Sequence, residues 1–449
     1  MPKWNNAAEY LAYTFNRSQF RDGKSRGASL RVQDSTLTQN STNDTVYVAR
    51  QTIVSKDCGT VGYELLFRNG MANSFPDMNP DEATSRLITD AQLDLGIEKL
   101  VGEHRAFINF TEQSLLDKFP EYFNKEKIVV EILESVNPSE DIVAACTQLK
   151  AQGYRLALDD FDFSSKWSEL SKLVDIIKVD IEGMDLDSLA EKVKTIRTDD
   201  VELVAERVET HEQFEFCKQL GFDYFQGYFF SKPEIMQNRT IPSDRMSMVQ
   251  LMAETSKHPM EFDGISEMIS RDVGITFKLL KFINCPLIGV RTEIKSLDHA
   301  LTYLGEKELR KFICLMAMAA IGDEKPAALL SLASVRARHA ELLMRNLGRE
   351  ENAGKAFLCG LFSLIDAVMN DTLSNIFANL PVDASIKSAL LSGEGTLGKV
   401  LLLVIAYENG SWKQVAELCD DLRMSDAVLA HCYSDAVQWT RDFESGMVD

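Results

Sequence analysis

Residues 154–180 read YRLALDDFDFSSKWSELSKLVDIIKVD, and this stretch decides the fold. Two short apolar runs, Arg155 to Leu158 and Asp175 to Val179, sit about twenty positions apart, too far for a hairpin turn and about right for a crossover connection. Each run ends in a residue that a core would not choose: Asp159 and Asp160 after RLAL, Lys178 after DII. The same grammar extends on both sides. Asn109 follows AFI, Glu131 follows IVV, Glu206 follows ELVA and Gln226 follows DYF. From Val46 to Pro233 such runs alternate with helical patterns, which predicts a parallel β/α architecture. If the strands close into a TIM-like (β/α) barrel, their C-terminal ends surround one mouth and these side chains converge there.

Helix signals support the alternation. Asn79-Pro80 and Asn137-Pro138 each offer an N-cap followed by proline at the first helical position. Ala83, Leu87, Ile88, Ala91 and Leu95 then form one apolar face. Ile142, Val143, Cys146 and Leu149 form another, ending near Gly153. Four or five carboxylates at one mouth stay ionised together only if a cation neutralises them. An oxygen-rich set without His or Cys favours Mg²⁺ or Mn²⁺ over zinc.

After Pro233 the strand pattern stops. KPEIMQNRTIPSD reads as a polar linker, with a helix start at Ser243 or Asp244. Beyond it, Ile265, Met268 and Ile269, then Leu279, Leu280 and Ile283, then Leu297, Ala300, Leu301 and Leu304 keep the 3.6 period. Gly305 and Gly348 stand as helix stops. The expected division is an N-terminal arm over 1–44, a barrel over 45–235, a linker over 236–243 and an all-α domain over 244–449.

Composition bounds the class. The chain has 449 residues, 45% apolar and 26% charged, as in ordinary globular proteins. Its formal charge of −20 argues against DNA or RNA as a partner, because a polyanion is repelled. No run of about 18 apolar residues suggests a membrane span. The first residues, MPKWNNAAEYLAYTF, lack the pattern of an export signal, so a cytoplasmic location is expected. The eight cysteines form no C-x-x-C pair and read as reduced, mostly buried thiols.

Residue by residue, the first half resembles the EAL family. Gln51 in RQTIV matches the family's early glutamine, with Thr52 where proline is usual. The naming motif stands as Glu64-Leu65-Leu66, followed by Phe67 and Arg68. Asn109 in FINFT, Glu131 and Glu134 in VEILES, Asp159-Asp160-Phe161, Lys178 in IIKVD, Glu206 and Glu209 in AERVET, and Gln226-Gly227-Tyr228 complete the set.

The resemblance implies a phosphodiesterase that hydrolyses cyclic di-GMP to pGpG with two divalent ions, Mg²⁺ or Mn²⁺. Glu64, Asn109, Glu131 and Asp159 would hold one ion; Asp159, Asp160 and Glu206 would hold the other. Lys178 would orient the attacking water with Glu209 positioning it, Gln51, Arg68 and Gln226 would hold the substrate, and Glu134 would support the adjoining loop.

Three departures stand out. The loop Asp162 to Trp167 lacks the family's glycines, has less access to positive φ, and is therefore expected to adopt a different conformation. Arg207 replaces a glycine beside Glu206. The segment between Arg68 and Thr84 is short. These departures favour an alternative, a non-catalytic cyclic di-GMP receptor; an adaptor without ligand is disfavoured, because idle carboxylate clusters destabilise a fold.

The second half resembles the HDOD family in SRDVGITFKLLKFIN and IKSLDHALTYLG. Its relatives among HD-type phosphohydrolases bind metal through a His-Asp pair. Here AFLCGLFSLIDAV carries Ser363-Leu364 at that place, which leaves His339 and Asp366 as isolated core or surface groups. A regulatory or partner-binding role follows, with an unidentified protein as the partner and a homodimer among the expected assemblies.

Overall fold

The computed structural model describes residues 46–69, 97–198, 200–227, 229, 251–252, 262–270, 273–284, 290, 294–321, 327–380 and 382–445. The expected N-terminal arm, the helix after Asn79-Pro80, the trimmed segment and the whole linker with the helix start at Ser243 or Asp244 lie outside them, as do the side chains of Phe67 and Arg68.

Eight strands close into a barrel: β1 (Val46–Ser55), β2 (Thr60–Asn69), β3 (Arg105–Phe110), β4 (Ile128–Ile132), β5 (Arg155–Leu158), β6 (Ile176–Asp180), β7 (Glu202–Glu206) and β8 (Tyr224–Gln226). From β2 to β8 neighbours run parallel. β1 does not. It lies antiparallel to both β2 and β8, a detail that the expected TIM-like (β/α) barrel left open. The reason is local. Only Lys56 to Gly59 connect β1 to β2, with Ser55 N donating to Gly59 O at 2.8 Å, and so short a loop can only reverse the chain.

Alternation points Ile53, Phe107, Val129, Ala157, Ile176 and Val204 into the barrel as a sealed apolar plug. Gly62 makes room for it: a Cβ there would stand 2.7 Å from the Phe107 ring. Outside, the barrel helices are α1 (Ile97–Val101), α2 (Glu112–Leu116), α3 (Glu140–Gln152), α4 (Leu186–Ile196) and α5 (His211–Gln219). α3 buries Ile142, Cys146 and Leu149 as the period predicts and ends at Gly153 with φ 95°. Its cap is not Asn137. Ser139 accepts from Ile142 N at 3.4 Å, so Pro138 precedes the cap instead of opening the helix.

The remaining helices are α6 (Phe262–Ser270), α7 (Val273–Asn284), α8 (Leu297–Ile321), α9 (Ala327–Asn346), α10 (Glu350–Phe362), α11 (Ile365–Met369), α12 (Leu373–Asn379), α13 (Ala384–Ser392), α14 (Gly395–Glu408), α15 (Trp412–Leu422) and α16 (Asp426–Ser445). Gly305 breaks the helical path inside α8 with φ 68°. No single described helix is long and apolar enough to cross a membrane; the bent pair α13 and α14 passes that test only jointly, and α14 is largely buried.

Around Ser363, where the sequence offers no His-Asp pair, the structure places a buried ion pair. Arg336 donates from Nη2 to Glu408 at 2.8 Å and from Nη1 to Ser363 Oγ at 2.8 Å, and both ionic side chains are buried. His339, buried between the rings of Tyr407 and Tyr433, places Nε2 3.3 Å from Leu429 O. Burial keeps it neutral, lowering its pKa to about 3. Asp366 is buried too, and desolvation raises it to about 6.

The helical half packs on the outer face of the barrel beside β1 and α1. Arg441 Nη1 donates to Glu98 O at 2.8 Å and Lys99 O at 3.0 Å, while the Tyr407 hydroxyl donates to Val48 O at 3.2 Å.

Candidate active site

The inward-facing polar residues gather at the mouth above the plug, and their centre is Lys178. Its ammonium lies 2.7 Å from Glu131 Oε1, 2.7 Å from Asp159 Oδ1, 2.8 Å from Glu206 Oε1 and 3.2 Å from Glu64 Oε2. Strand register builds this. Lys178 sits in β6, Glu131 in β4, Glu206 at the end of β7 and Glu64 mid-β2, while Asp159 continues β5 by donating its N–H to Ile132 O at 3.0 Å. One ammonium among four carboxylates leaves a formal surplus of three negative charges when all are ionised.

The electrostatics divide the four acids. Burial pushes Glu131 well above the usual carboxylate range, more than Lys178 can offset. Glu206 rises to about 8, from burial first and then the repulsion of Asp159 and Glu64. Asp159 is raised for similar reasons. Glu64 goes the other way: against burial, Lys178 and hydrogen bonds from Gln226 and Asn109 hold it below its ordinary value. For Lys178 itself, burial opposes the charge, yet the surrounding acids raise its pKa well above the normal one.

Gln51, Gln226 and Asn109 tie the acids to the wall. Gln226 Nε2 donates to Gln51 Oε1 at 2.8 Å and Glu64 Oε2 at 2.7 Å, and Asn109 Nδ2 donates to Glu64 Oε1 at 3.0 Å. Buried acceptors remain without a hydrogen-bond donor: Asn109 Oδ1, Gln226 Oε1 and both oxygens of Glu131. Glu131 Oε1 is thus near the ammonium by distance without receiving a directed bond from it. Orphaned oxygens in an acidic pocket are a donor set that suits hard cations. Among the described residues, however, no three His, Cys, Asp or Glu side chains already stand as a metal cage, because these carboxylates close on Lys178.

The remaining expected residues lie at the rim. Asp160 is partly buried, and desolvation followed by the charge of Asp180 raises its pKa. Glu134 is exposed; its backbone carbonyl, 3.4 Å from Lys166 Nζ, touches the following loop. Glu209 is exposed, with its N–H donating to Gln213 Oε1 at 2.8 Å where α5 begins. Arg68 has a described backbone paired with Tyr47, but its side chain lies outside the described residues.

The glycine-free loop reaches positive φ at Phe163, φ 60°, and Asp160 just before it adopts φ 43°. Asp162 organises it, its Oδ1 accepting from Ser164 N at 2.9 Å and Trp167 Nε1 at 3.0 Å. Buried Trp167 then pins the loop against the core. Such a conformation costs a non-glycine residue roughly 1–2 kcal/mol, which these contacts offset.

Arg207 likewise takes the glycine-like φ of 53°. Its exposed guanidinium turns along the rim to Glu182, 2.6 Å away, and Asp180, 3.2 Å away. Asp180 was missed by the sequence reading. Its signal was available, since it is a charged residue ending a buried strand. Gly227 is demanded by space as well as φ 147°, because a Cβ would lie 2.2 Å from Val208 O.

This closed barrel with one antiparallel strand and an acid-lined mouth is of the EAL kind: the EAL domain model matches residues 35–233, and the HDOD domain model matches 241–388. The cyclic di-GMP phosphodiesterase CdgJ of Vibrio cholerae is 36% identical over 401 residues, covering 89% of this chain and 93% of that protein. The uncharacterized protein YuxH of Bacillus subtilis is 32% identical over 402 residues, covering 88% of this chain and 98% of that one. The solved calcium and cyclic di-GMP complex of Klebsiella pneumoniae BlrP1 shares 22% identity with a TM-score of 0.37, over 44% of this chain and 58% of that one. The chain belongs to the family of proteins that join an EAL domain to an HDOD domain.

Proposed function

We propose that this chain is a cyclic di-GMP phosphodiesterase that opens the cyclic dinucleotide to pGpG, with its HDOD half as a regulatory or partner-binding module. The observation that carries it is a full-length relationship at 36% identity to a protein named for this activity, CdgJ, together with the convergence of Glu64, Glu131, Asp159 and Glu206 on one mouth.

Glu64, Asn109, Glu131, Asp159, Asp160 and Glu206 would hold two divalent ions, Mg²⁺ or Mn²⁺, whose chemistry is to lower the pKa of bound water and neutralise phosphate charge. The chain's own residues do the rest. Gln51 and Gln226, already bonded to each other, present amides to a guanine or phosphate at the edge nearest β1. Arg68 would add a charge-assisted bond to phosphate. Lys178 supplies a buried, protonated donor beside the reacting oxygens, and Glu206, placed 2.8 Å from it, would stay ionised there once an ion is bound. Glu209, at the rim, would position the water. The orphaned acceptors on Asn109 and Glu131 support the ion sites.

A receptor without turnover is the second reading, favoured by the rebuilt loop around Asp162 and by Arg207 at the rim. Incubating purified protein with cyclic di-GMP and Mg²⁺ or Mn²⁺, then separating the products, decides between them. Metal-dependent pGpG is expected; tight binding with no product would establish the receptor. The resemblance also supports a cytoplasmic location, an unidentified protein partner for the HDOD half and a homodimer.

A further inference from the structure

β1 is only partly held by its own sheet. Its pairing with β8 covers Ile53 to Ser55, so among the described residues the stretch from Val46 to Thr52 has β2 on one side and no strand on the other. In an antiparallel ladder, alternate residues turn their backbone groups to the same edge, so Val48 and Arg50 face it together. The helical half occupies that edge with two tyrosine hydroxyls. Tyr407, on α14, donates to Val48 O at 3.2 Å, and Tyr433, on α16, faces the backbone N–H and the guanidinium of Arg50. Both tyrosines are buried and lie in ring contact with each other at 4.9 Å.

The Arg50 side chain is fixed from three directions. Nη1 donates to Leu100 O of α1 at 2.5 Å, Cζ lies 4.3 Å from the centre of the Tyr63 ring, and the guanidinium faces Tyr433. Glu408 and Glu444, from the helical half, both feel its charge. The next residue points the opposite way. Gln51 projects into the mouth, paired in register with Glu64, and takes the Gln226 hydrogen bond at 2.8 Å. Consecutive residues on one strand thus plug into α14 and α16 of the helical half and into the active site.

We propose that Arg50, with Tyr407 and Tyr433, is a positioning device through which the docked HDOD half sets the place of Gln51 and so the affinity of the barrel for its dinucleotide. The kinetic consequence rests on the hydrolase reading; the structural one does not. A partner or modification that lifts the HDOD half frees the edge of β1 and loosens Gln51, without touching the ion-holding acids.

The test uses the full chain in three forms: Arg50→Ala, Arg50→Lys, and the double change Tyr407→Phe with Tyr433→Phe, which keeps both rings in the core. Amide hydrogen exchange is followed in residues 46–52 and, as a control, in β4. Hydrolysis kinetics are measured alongside. Faster exchange confined to 46–52 is expected, with KM raised roughly 2- to 30-fold and kcat held within about twofold. Arg50→Lys should recover part of both effects, because it restores the charge but not the fork. Wild-type exchange and KM in the double phenylalanine form would overturn the proposal, as would an exchange increase spread evenly through β4. If the wild-type chain forms no pGpG, the hydrolase reading falls, and the exchange measurements still decide whether the tyrosines hold β1.

Discussion

Lys178 and Glu131 meet inside the barrel with 2.7 Å between Nζ and Oε1, and neither side chain touches solvent. A buried pair of this kind is a poor source of stability by itself, because desolvation of both ions cancels most of the attraction. Here the ammonium also serves Glu64, Asp159 and Glu206, so among the described residues it is the cation that holds four acids together. That relationship motivates the first two predictions.

Lys178→Met should destabilise the apo protein by about 3–5 kcal/mol, since it strands buried carboxylates. Millimolar Mn²⁺ should recover a larger part of the melting temperature in this variant than in the wild type, because ions would then supply the missing positive charge. A thermal melt series with and without Mn²⁺ checks this. An equal Mn²⁺ shift in both proteins would argue against an ion site among these acids.

Glu64→Ala should lower turnover by more than about 100-fold, the upper end of what losing a group that merely supports a ligand costs. It removes a proposed ion ligand and the acceptor of both the Gln226 and Asn109 amides. Near wild-type, metal-dependent pGpG formation would sink the site assignment.

Arg207→Gly tests the rim. Because the guanidinium turns outward to Glu182 and Asp180 and is more than half exposed, cyclic di-GMP affinity should change by less than about twofold, the worth of a weak surface pair. Removing a side chain from left-handed backbone should stabilise the protein by about 1 kcal/mol. Calorimetric titration with Ca²⁺ present and urea melts measure the two. A tenfold affinity loss would mean that the arginine swings inward to the ligand.

His339 predicts an acid-sensitive HDOD half. Burial depresses its folded pKa to about 3 from the ordinary 6.5, so the unfolded chain binds the proton more readily. Stability from this group is therefore complete above pH 6.5 and falls as pH drops toward 3. Between pH 6.5 and 5 the loss should be about 2 kcal/mol. Asp366 acts oppositely: raised to about 6, it is most favourable while protonated, and its contribution declines as pH rises from 4 through 6. His339→Phe should flatten the acid limb in urea melts of the full chain between pH 5 and 7. An unchanged slope would show that the imidazole is not the responsible group.

Much of the barrel was legible because strand alternation and strand ends are local properties of a chain. Asn109, Glu131, Asp159, Lys178, Glu206 and Gln226 each follow an apolar run, and six such coincidences mark one mouth before any coordinates are known. The left-handed Phe163 and Arg207 were not legible, since backbone angles there answer to how Trp167 is buried in the core and to Glu182, 25 positions from Arg207.

The sequence by itself determined which residues can carry chemistry, where strands end, and that a helical module follows, because periodicity and residue type need no partner to be read. Only the tertiary structure decided that Lys178 is the centre of the acids, that β1 runs against its neighbours, and that its open edge is closed by Tyr407 from 359 positions away. A buried tyrosine in an apolar helix reads as core whichever surface it meets. What its hydroxyl bonds to depends on how two layers distant in sequence dock, and that geometry is not written in either segment alone.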